Sequence, residues 1–269
     1  MKGAKRAVLG IDAAWTLTQP SGVAAAAEFH DGWHLIAAST SYQRFHALAN
    51  GRSAEERPLG SPVDAPALLA SASMLCGRPI DIVAVDMPLA RTPIVGRRES
   101  DNAVSRVYGA RKCGTHSPSA LRPGPISDGL RAVFGQAGYA LLTTAVEPVG
   151  LIEVYPHPAL VELAGATERL PYKVSKVRRY WPLETAPERR RRLIQQWSEI
   201  VALLEGEIAG VKAALPVLDV NAAGYQLKAY EDALDAVICA WVAVCVLEGR
   251  AIPYGDENSA IWIPNPQRA

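Results

Sequence analysis

The sequence lacks the motifs and the charge excess of several large protein classes. It contains no G-x-S-x-G elbow, no P-loop and no dinucleotide-binding glycine fingerprint, which disfavours serine hydrolases, nucleoside triphosphatases and dehydrogenases. Its 28 basic residues outnumber its 27 acidic residues by one, so the chain lacks the basic excess used to bind long nucleic acids through phosphates. Any basic surface that contacts a ligand must therefore be local.

Cysteine and long apolar runs are also scarce. The four cysteines show no C-x-x-C spacing, and Cys239 and Cys245 lie in an apolar run, where small core residues are expected. Such cysteine usage is typical of reduced thiols in a cytosol. The first residues lack the apolar stretch of a signal peptide, and the longest apolar run, 236–247, is too short to cross a bilayer. We expect a cytoplasmic protein with no membrane anchor.

Apolar runs bounded by turn residues predict an α/β fold. Strands are expected over 7–14, 23–29, 33–39, 81–87 and 151–155. The Asp31-Gly32 pair predicts a hairpin between the second and third strands, and the continuously apolar fourth strand is typical of a sheet centre. The expected sheet has five strands, three of them antiparallel and the last two parallel, flanked by helices.

Helical signals complete this outline. Helices are expected over 65–76, 100–109, 127–135 and 230–248, with further helices beginning at 158 and after the Thr185 capping box. Ser100 is expected to be an N-cap and Gly77 a C-cap. Segments 47–63 and 251–264 are expected to be irregular. Residues 1–269 then form a single domain with an Arg/Gly/Pro-rich insertion at about 90–127 and a helical insertion at about 157–228.

Three aspartates fall where charge is costly. Asp12 lies within the first strand, Asp86 ends the fourth, and Asp235 lies in the apolar last helix. An ionised carboxylate in apolar surroundings costs several kcal/mol unless a cation or hydrogen-bond donors compensate it. Because no basic partner is obvious nearby in the sequence, we expect the three to share a site for a hard divalent cation, Mg²⁺ or Mn²⁺.

Further acids are candidates to complete this site. On the last helix, Asp232 and Glu231 precede Asp235 by three and four residues, so either can share its face. Glu153, in the fifth strand, is the other candidate, and the nearby His157 is either a proton shuttle or a structural residue. The alternative is that these acids have structural roles. Asp12 then caps a turn, Asp86 hydrogen-bonds the loop after Pro88, and Asp232 is a charge favoured near a helix N-terminus.

Six short segments carry a resemblance to a known family. They are GIDAAW at 10–15, SGV at 21–23, VDMPL at 85–89, RESD at 98–101, IEVYP at 152–156 and YEDALDA at 230–236. In this order they resemble domain-of-unknown-function family 429 (DUF429), bacterial and archaeal proteins described as predicted ribonuclease-H-like nucleases. The closing D-x-x-D is also similar to the ending of Holliday-junction resolvases. The resemblance implies a ribonuclease-H-like fold and supports the acidic site better than it supports a substrate.

Together these features predict a metal-dependent phosphodiesterase that acts on a nucleic acid or nucleotide. The expected catalytic residues are Asp12, Asp86, Glu153, Asp232 and Asp235, and the expected metal ligands are Asp12, Asp86, Asp232 and Asp235. Two carboxylate-bound cations roughly 3.5–4 Å apart activate water and stabilise the leaving oxygen in such enzymes. The near-neutral charge favours a short or structured substrate. A homodimer is compatible with this interpretation.

Basic residues near the acids are expected to hold the substrate. The expected substrate-binding residues are Arg98, Arg106, Arg111 and Lys112. Segment 178–181 (RRYW) also combines basic and aromatic side chains, which is typical of either a nucleic-acid contact or a surface turn. Two other functions stay open. An actin-like ATP-dependent phosphotransferase is disfavoured because no Gly- and Ser/Thr-rich loop follows Asp12, and a non-catalytic interaction module would keep the fold without the chemistry.

Overall fold

The computed structural model describes residues 3–53 and 57–265. Its first three strands, β1 (Arg6–Asp12), β2 (Gly22–Phe29) and β3 (Gly32–Ser39), pair antiparallel in chain order, as predicted. The predicted hairpin joins β2 and β3, and Gly32 adopts a positive φ of 120° there, a conformation that favours glycine. β4 (Ile82–Asp86) and β5 (Gly150–Val154) then run parallel to β1.

The sheet is larger than the five strands predicted. Its order is β3-β2-β1-β4-β5-β7-β6, because β6 (Ala251–Gly255) and β7 (Ala260–Pro264) form a hairpin whose β7 pairs parallel with β5. The prediction of an irregular tail over 251–264 is therefore wrong. Pro253 interrupts the strand pattern of this segment. Proline is rare in central strands, but it is tolerated in an edge strand such as β6.

Nine helices are found among the described residues, together with a short 3₁₀ turn at Val174–Lys176. They are α1 (Tyr42–Ala49), α2 (Ala65–Cys76), α3 (Glu99–Tyr108), α4 (Pro125–Gln136), α5 (Pro156–Leu163), α6 (Val177–Tyr180), α7 (Ala186–Glu207), α8 (Val211–Ala214) and α9 (Gly224–Leu247). The Gly77 C-cap and the Thr185 capping box are confirmed. None of the helices in this described part is long and apolar enough to span a membrane.

Helix α1 was not predicted, and several of the predicted helix boundaries differ from the structure. Ser41 caps α1, whose last turn lies in the segment predicted as loop. Ser100 lies inside α3 and is not its N-cap; the Asp101 carboxylate accepts a hydrogen bond from the Arg98 backbone N–H at 2.9 Å, which moves the start of the helix forward. α9 begins at Gly224, six residues before the predicted start at 230.

Helices cover both faces of the sheet, and α9 lies directly on one of them. Two glycines permit this close approach: a Cβ at Gly10 would lie 2.1 Å from the Ala236 carbonyl oxygen, and one at Gly22 would lie 2.0 Å from the Asp232 carbonyl oxygen. Since no side chain fits there, the α9 backbone rests on β1 and β2. Helices α1, α2 and α4 pack on the opposite face.

Candidate active site

Asp12 and Asp86 lie side by side at the carboxyl ends of neighbouring parallel strands. They are register partners in the β1–β4 pair. Paired residues of adjacent strands point to the same face, and Gly10, two residues before Asp12, faces α9. Both carboxylates therefore point toward α9, where sequence analysis placed the shared site.

Helix α9 supplies three more carboxylates, those of Glu231, Asp232 and Asp235. They are nearly inaccessible, with 3%, 4% and 0% of their surface exposed. Burial and the negative charges of Asp235, Asp232 and Asp86 raise the pKa of Asp12 well above its ordinary value, although Lys173 opposes the shift. The four predicted ligands are thus electrostatic neighbours, and Glu231 adjoins them.

Two lysines lie within this carboxylate group. Lys173 forms an ion pair with Asp235 and approaches Glu231 at 3.7 Å. Lys228 forms an ion pair with Asp232 and lies 2.9 Å from the nearer Glu231 oxygen. Neither lysine was predicted from the sequence. The spacing of Lys228 on α9, three and four residues before its partners, was a usable signal, whereas Lys173 comes from a distant segment.

The segment that carries Lys173 is fixed against α9. The Tyr172 hydroxyl donates to Asp235 at 2.8 Å, and the Val174 backbone N–H donates to Glu231 at 2.5 Å. The indole N–H of Trp197 in turn donates to the Tyr172 carbonyl at 2.8 Å. This packing holds the Lys173 ammonium group beside the acids.

Negative charge exceeds positive charge at this centre. Five carboxylates face two ammonium groups, so three negative charges remain uncompensated when all are ionised. Burial and the charge of Asp235 raise the pKa of Asp86 to about 7, against the opposing effect of Lys173. Near neutral pH the centre therefore favours uptake of protons or of a cation.

The donor chemistry fits a hard divalent cation, because all five groups are carboxylates and they come from β1, β4 and α9. The arrangement is not a ready-made cage. Among residues 3–53 and 57–265, no group of three or more His, Cys, Asp or Glu side chains is placed to hold an ion. The lysines bind the α9 acids instead, so a cation that joins those acids to Asp12 and Asp86 must displace ammonium groups.

Glu153 is held by partners of its own, although it lines the same cavity as Asp86 and its negative charge raises the pKa of Asp86. It is the register partner of Val85, so it faces the side of the sheet opposite to Asp86. Its carboxylate accepts hydrogen bonds from the Leu89 backbone N–H at 2.7 Å and from the Arg98 guanidinium at 2.5 and 2.8 Å. Of the two residues considered to complete the site, Asp232 lies beside Asp235 and Glu153 belongs to a buried ion pair.

The cations predicted to bind substrate are engaged within the protein. Arg98 is buried between Glu153 and Asp101, and the pKa of its guanidinium is raised because these carboxylates outweigh the effect of burial. The others pair with surface carboxylates: Arg106 with Glu99, Arg111 with Glu162, and Lys112 with Glu168. Arg98 therefore contributes to the internal structure of the site through its buried ion pairs.

A cavity of about 290 Å³ opens beside Asp86, with Lys173, Arg98 and His157 in its wall. The imidazole of His157 lies between the rings of Tyr155 and Tyr172, at centroid distances of 5.4 and 5.2 Å, and its Nδ1 has no hydrogen-bond partner within the described part of the chain. Burial and nearby cations hold the pKa of His157 well below its ordinary value. It is therefore neutral at pH 7, able to accept or donate a hydrogen bond but not to carry charge.

Part of this site lies in a segment that matches a known protein family. The DUF429 family, described as a protein of unknown function, matches residues 130–259. The matched segment includes the α9 acids and both lysines, while Asp12 and Asp86 precede it. The match supports the DUF429 resemblance drawn from the six motifs. Neither the curated proteins nor the solved structures contain a match to the chain.

Proposed function

We propose that the chain is a Mg²⁺- or Mn²⁺-dependent phosphodiesterase of ribonuclease-H-like fold that hydrolyses nucleic-acid phosphodiester bonds in the cytoplasm. The observation that carries this proposal is the pairing of Asp12 with Asp86 on adjacent parallel strands, opposite the carboxylates of Asp232 and Asp235 on α9. Acids from separate elements, with too few cations to balance them, favour a divalent ion.

The order of the first five strands supports the proposed fold. β3, β2 and β1 are antiparallel neighbours, and β4 and β5 continue the sheet in parallel, which is the arrangement expected of a ribonuclease-H-like core. The long C-terminal helix α9 covers this core and supplies the opposing acids. The β6–β7 hairpin extends the sheet beyond β5, away from Asp12.

Each residue of the centre has a defined task in this proposal. The bound cation would supply Lewis-acid chemistry, lowering the pKa of water and stabilising charge on a phosphoryl oxygen. Asp12, Asp86 and Asp235 would hold it, and Tyr172 would orient the Asp235 carboxylate through its hydroxyl. Lys173, once released from Asp235, lies in the wall of the cavity beside Asp86, where its ammonium group would contact a substrate phosphate.

Calorimetric titration of metal-stripped protein with Mn²⁺ tests this proposal. Wild type should bind Mn²⁺, and Asp12→Asn and Asp235→Asn should lose that binding, because each removes one ligand charge with little change in shape. Asp64→Asn is the matched control: Asp64 caps α2 on the other face of the sheet, and asparagine is an equally good N-cap.

A hydrolysis screen in Mn²⁺ completes the test. Labelled single strands, duplexes and branched junctions of DNA and RNA should include one that wild type cleaves and Asp12→Asn does not. If wild type binds no Mn²⁺ and cleaves none of these substrates, the proposal fails and the non-catalytic interaction module is favoured.

A further inference from the structure

Three cations near the acidic centre form no ion pair among the described residues: Arg169, Lys176 and Arg179. They lie on the segment that leads from the wall of the first cavity into α6. Lys176 and Arg179 are exposed, and Arg169 is half-buried. Unlike the four cations predicted from the sequence, these are available to a ligand.

The same cations line a second cavity, of about 630 Å³. Arg169 and Lys176 line this cavity and also the one beside Asp86, so the two meet at these side chains. Together the two cavities extend from Asp86 to the aromatic side chains of Tyr180 and Trp181. We call the second cavity and its lining residues Arg169, Lys176, Arg179, Tyr180 and Trp181 the basic groove.

The charge of the basic groove is opposite to that of the acidic centre. Four cations line it, counting Lys112, against one carboxylate, that of Glu168, which pairs with Lys112 at 2.5 Å. A polyanion is therefore attracted to the groove and repelled by the acids until a cation or protons neutralise them.

Its far end carries an aromatic pair. The rings of Tyr180 and Trp181 lie edge to face at a centroid distance of 5.7 Å, and both side chains are half-buried. Unpaired bases stack on such rings, whereas the bases of an intact duplex are already stacked and hidden.

We infer that the basic groove binds a single-stranded nucleic-acid segment, with phosphates on Arg169, Lys176 and Arg179 and a base stacked on Trp181. Where the proposed hydrolysis holds, this segment leads the scissile phosphate to the acidic centre. The near-neutral charge of the whole chain agrees with local capture of a single strand in place of coverage of a long duplex.

Fluorescence anisotropy in excess EDTA tests this binding apart from metal and catalysis. The probe is a labelled DNA single strand of about ten nucleotides, a length within the usual range of such grooves; its RNA counterpart and the matching duplex are compared. Single strands should bind at least tenfold more tightly than the duplex. The double variant Lys176→Ala/Arg179→Ala should lower the slope of log affinity against log salt by about 1.4, since each single-strand phosphate contact contributes roughly 0.7.

Three further variants distinguish base stacking from charge and from a general loss of folding. Trp181→Leu should weaken single-strand binding roughly tenfold while Trp181→Phe retains most of it, because only the aromatic ring stacks bases. Arg52→Ala removes an exposed charge after α1, on the opposite layer, and should leave affinity and slope unchanged. Thermal unfolding of each variant verifies that it is folded.

The inference is overturned if the single strand does not bind, if the duplex binds as tightly, or if the double variant keeps the wild-type slope. It is also overturned if Arg52→Ala lowers the slope as much as the double variant does. Single-strand binding by a protein that binds no Mn²⁺ and cleaves none of the single strands, duplexes and junctions would retain the groove and remove the proposed nuclease. Hydrolysis that is unchanged in the groove variants would retain the proposed nuclease and would remove the groove from the path of its substrate.

Discussion

Replacing Gly22 with alanine should damage the candidate site without touching any of its side chains. Gly22 is the register partner of Asp12, and a Cβ there would lie 2.0 Å from the Asp232 carbonyl oxygen, far inside van der Waals contact. Because the obstacle is backbone, α9 must move away from the sheet. Overpacking of this kind costs about 1–3 kcal/mol in the free energy of unfolding.

The same movement should weaken cation binding. Asp232 and Asp235 travel with α9, and a displacement of about 1 Å in a reacting group can cost roughly 100-fold in activity. Chemical denaturation and Mn²⁺ titration of Gly22→Ala measure the two effects. The control is Gly129→Ala in the interior of α4, where a new Cβ meets nothing within 4 Å, so helix propensity should stabilise the protein by about 0.5–1 kcal/mol. Wild-type stability and Mn²⁺ affinity in Gly22→Ala would refute the reasoning.

Three more predictions concern charge. Lys173→Met should lower the free energy of unfolding by about 3–5 kcal/mol, because it leaves the buried Asp235 without its ammonium partner. In denaturation experiments, saturating Mn²⁺ should restore part of this loss. The contribution of Asp86 and Asp12 to stability should fall as pH rises from about 4 to about 7, since folding raises the pKa of Asp86 from 3.8 to about 7 and raises that of Asp12, so the native state retains protons that the unfolded chain has released. In urea denaturation the stability of wild type relative to Asp86→Asn should therefore decrease across this window, and an increase would contradict the prediction. Glu153→Gln should cost about 3–5 kcal/mol by breaking a buried ion pair, and it should weaken Mn²⁺ binding in calorimetry less than Asp12→Asn does, because the Glu153 carboxylate acts on Asp86 only through its charge.

Local patterns in the sequence predicted most of the fold. The five apolar strands and the Thr185 cap are confirmed because each depends on residues next to one another in the chain. The β6–β7 hairpin was missed because Pro253 interrupts its pattern and because pairing with β5 joins segments about a hundred residues apart. Tertiary pairing, not local propensity, makes that tail a pair of strands.

The candidate site was predicted only in part. An acid at the end of an apolar strand or inside an apolar helix is visible in sequence, and the structure brings Asp12, Asp86 and Asp235 together. The partners of these acids are not visible in the same way. Lys173 pairs with Asp235 across 62 positions, and Arg98 pairs with Glu153 across 55 positions.

A crystal structure with saturating Mn²⁺, with the metal located by its anomalous scattering, tests the central claim most directly. The account predicts an anomalous peak in contact with the carboxylates of Asp12 and Asp86, with Lys173 displaced from Asp235. If both lysines keep their ion pairs and no Mn²⁺ contacts Asp12 or Asp86, the acidic centre is not the metal site proposed for it.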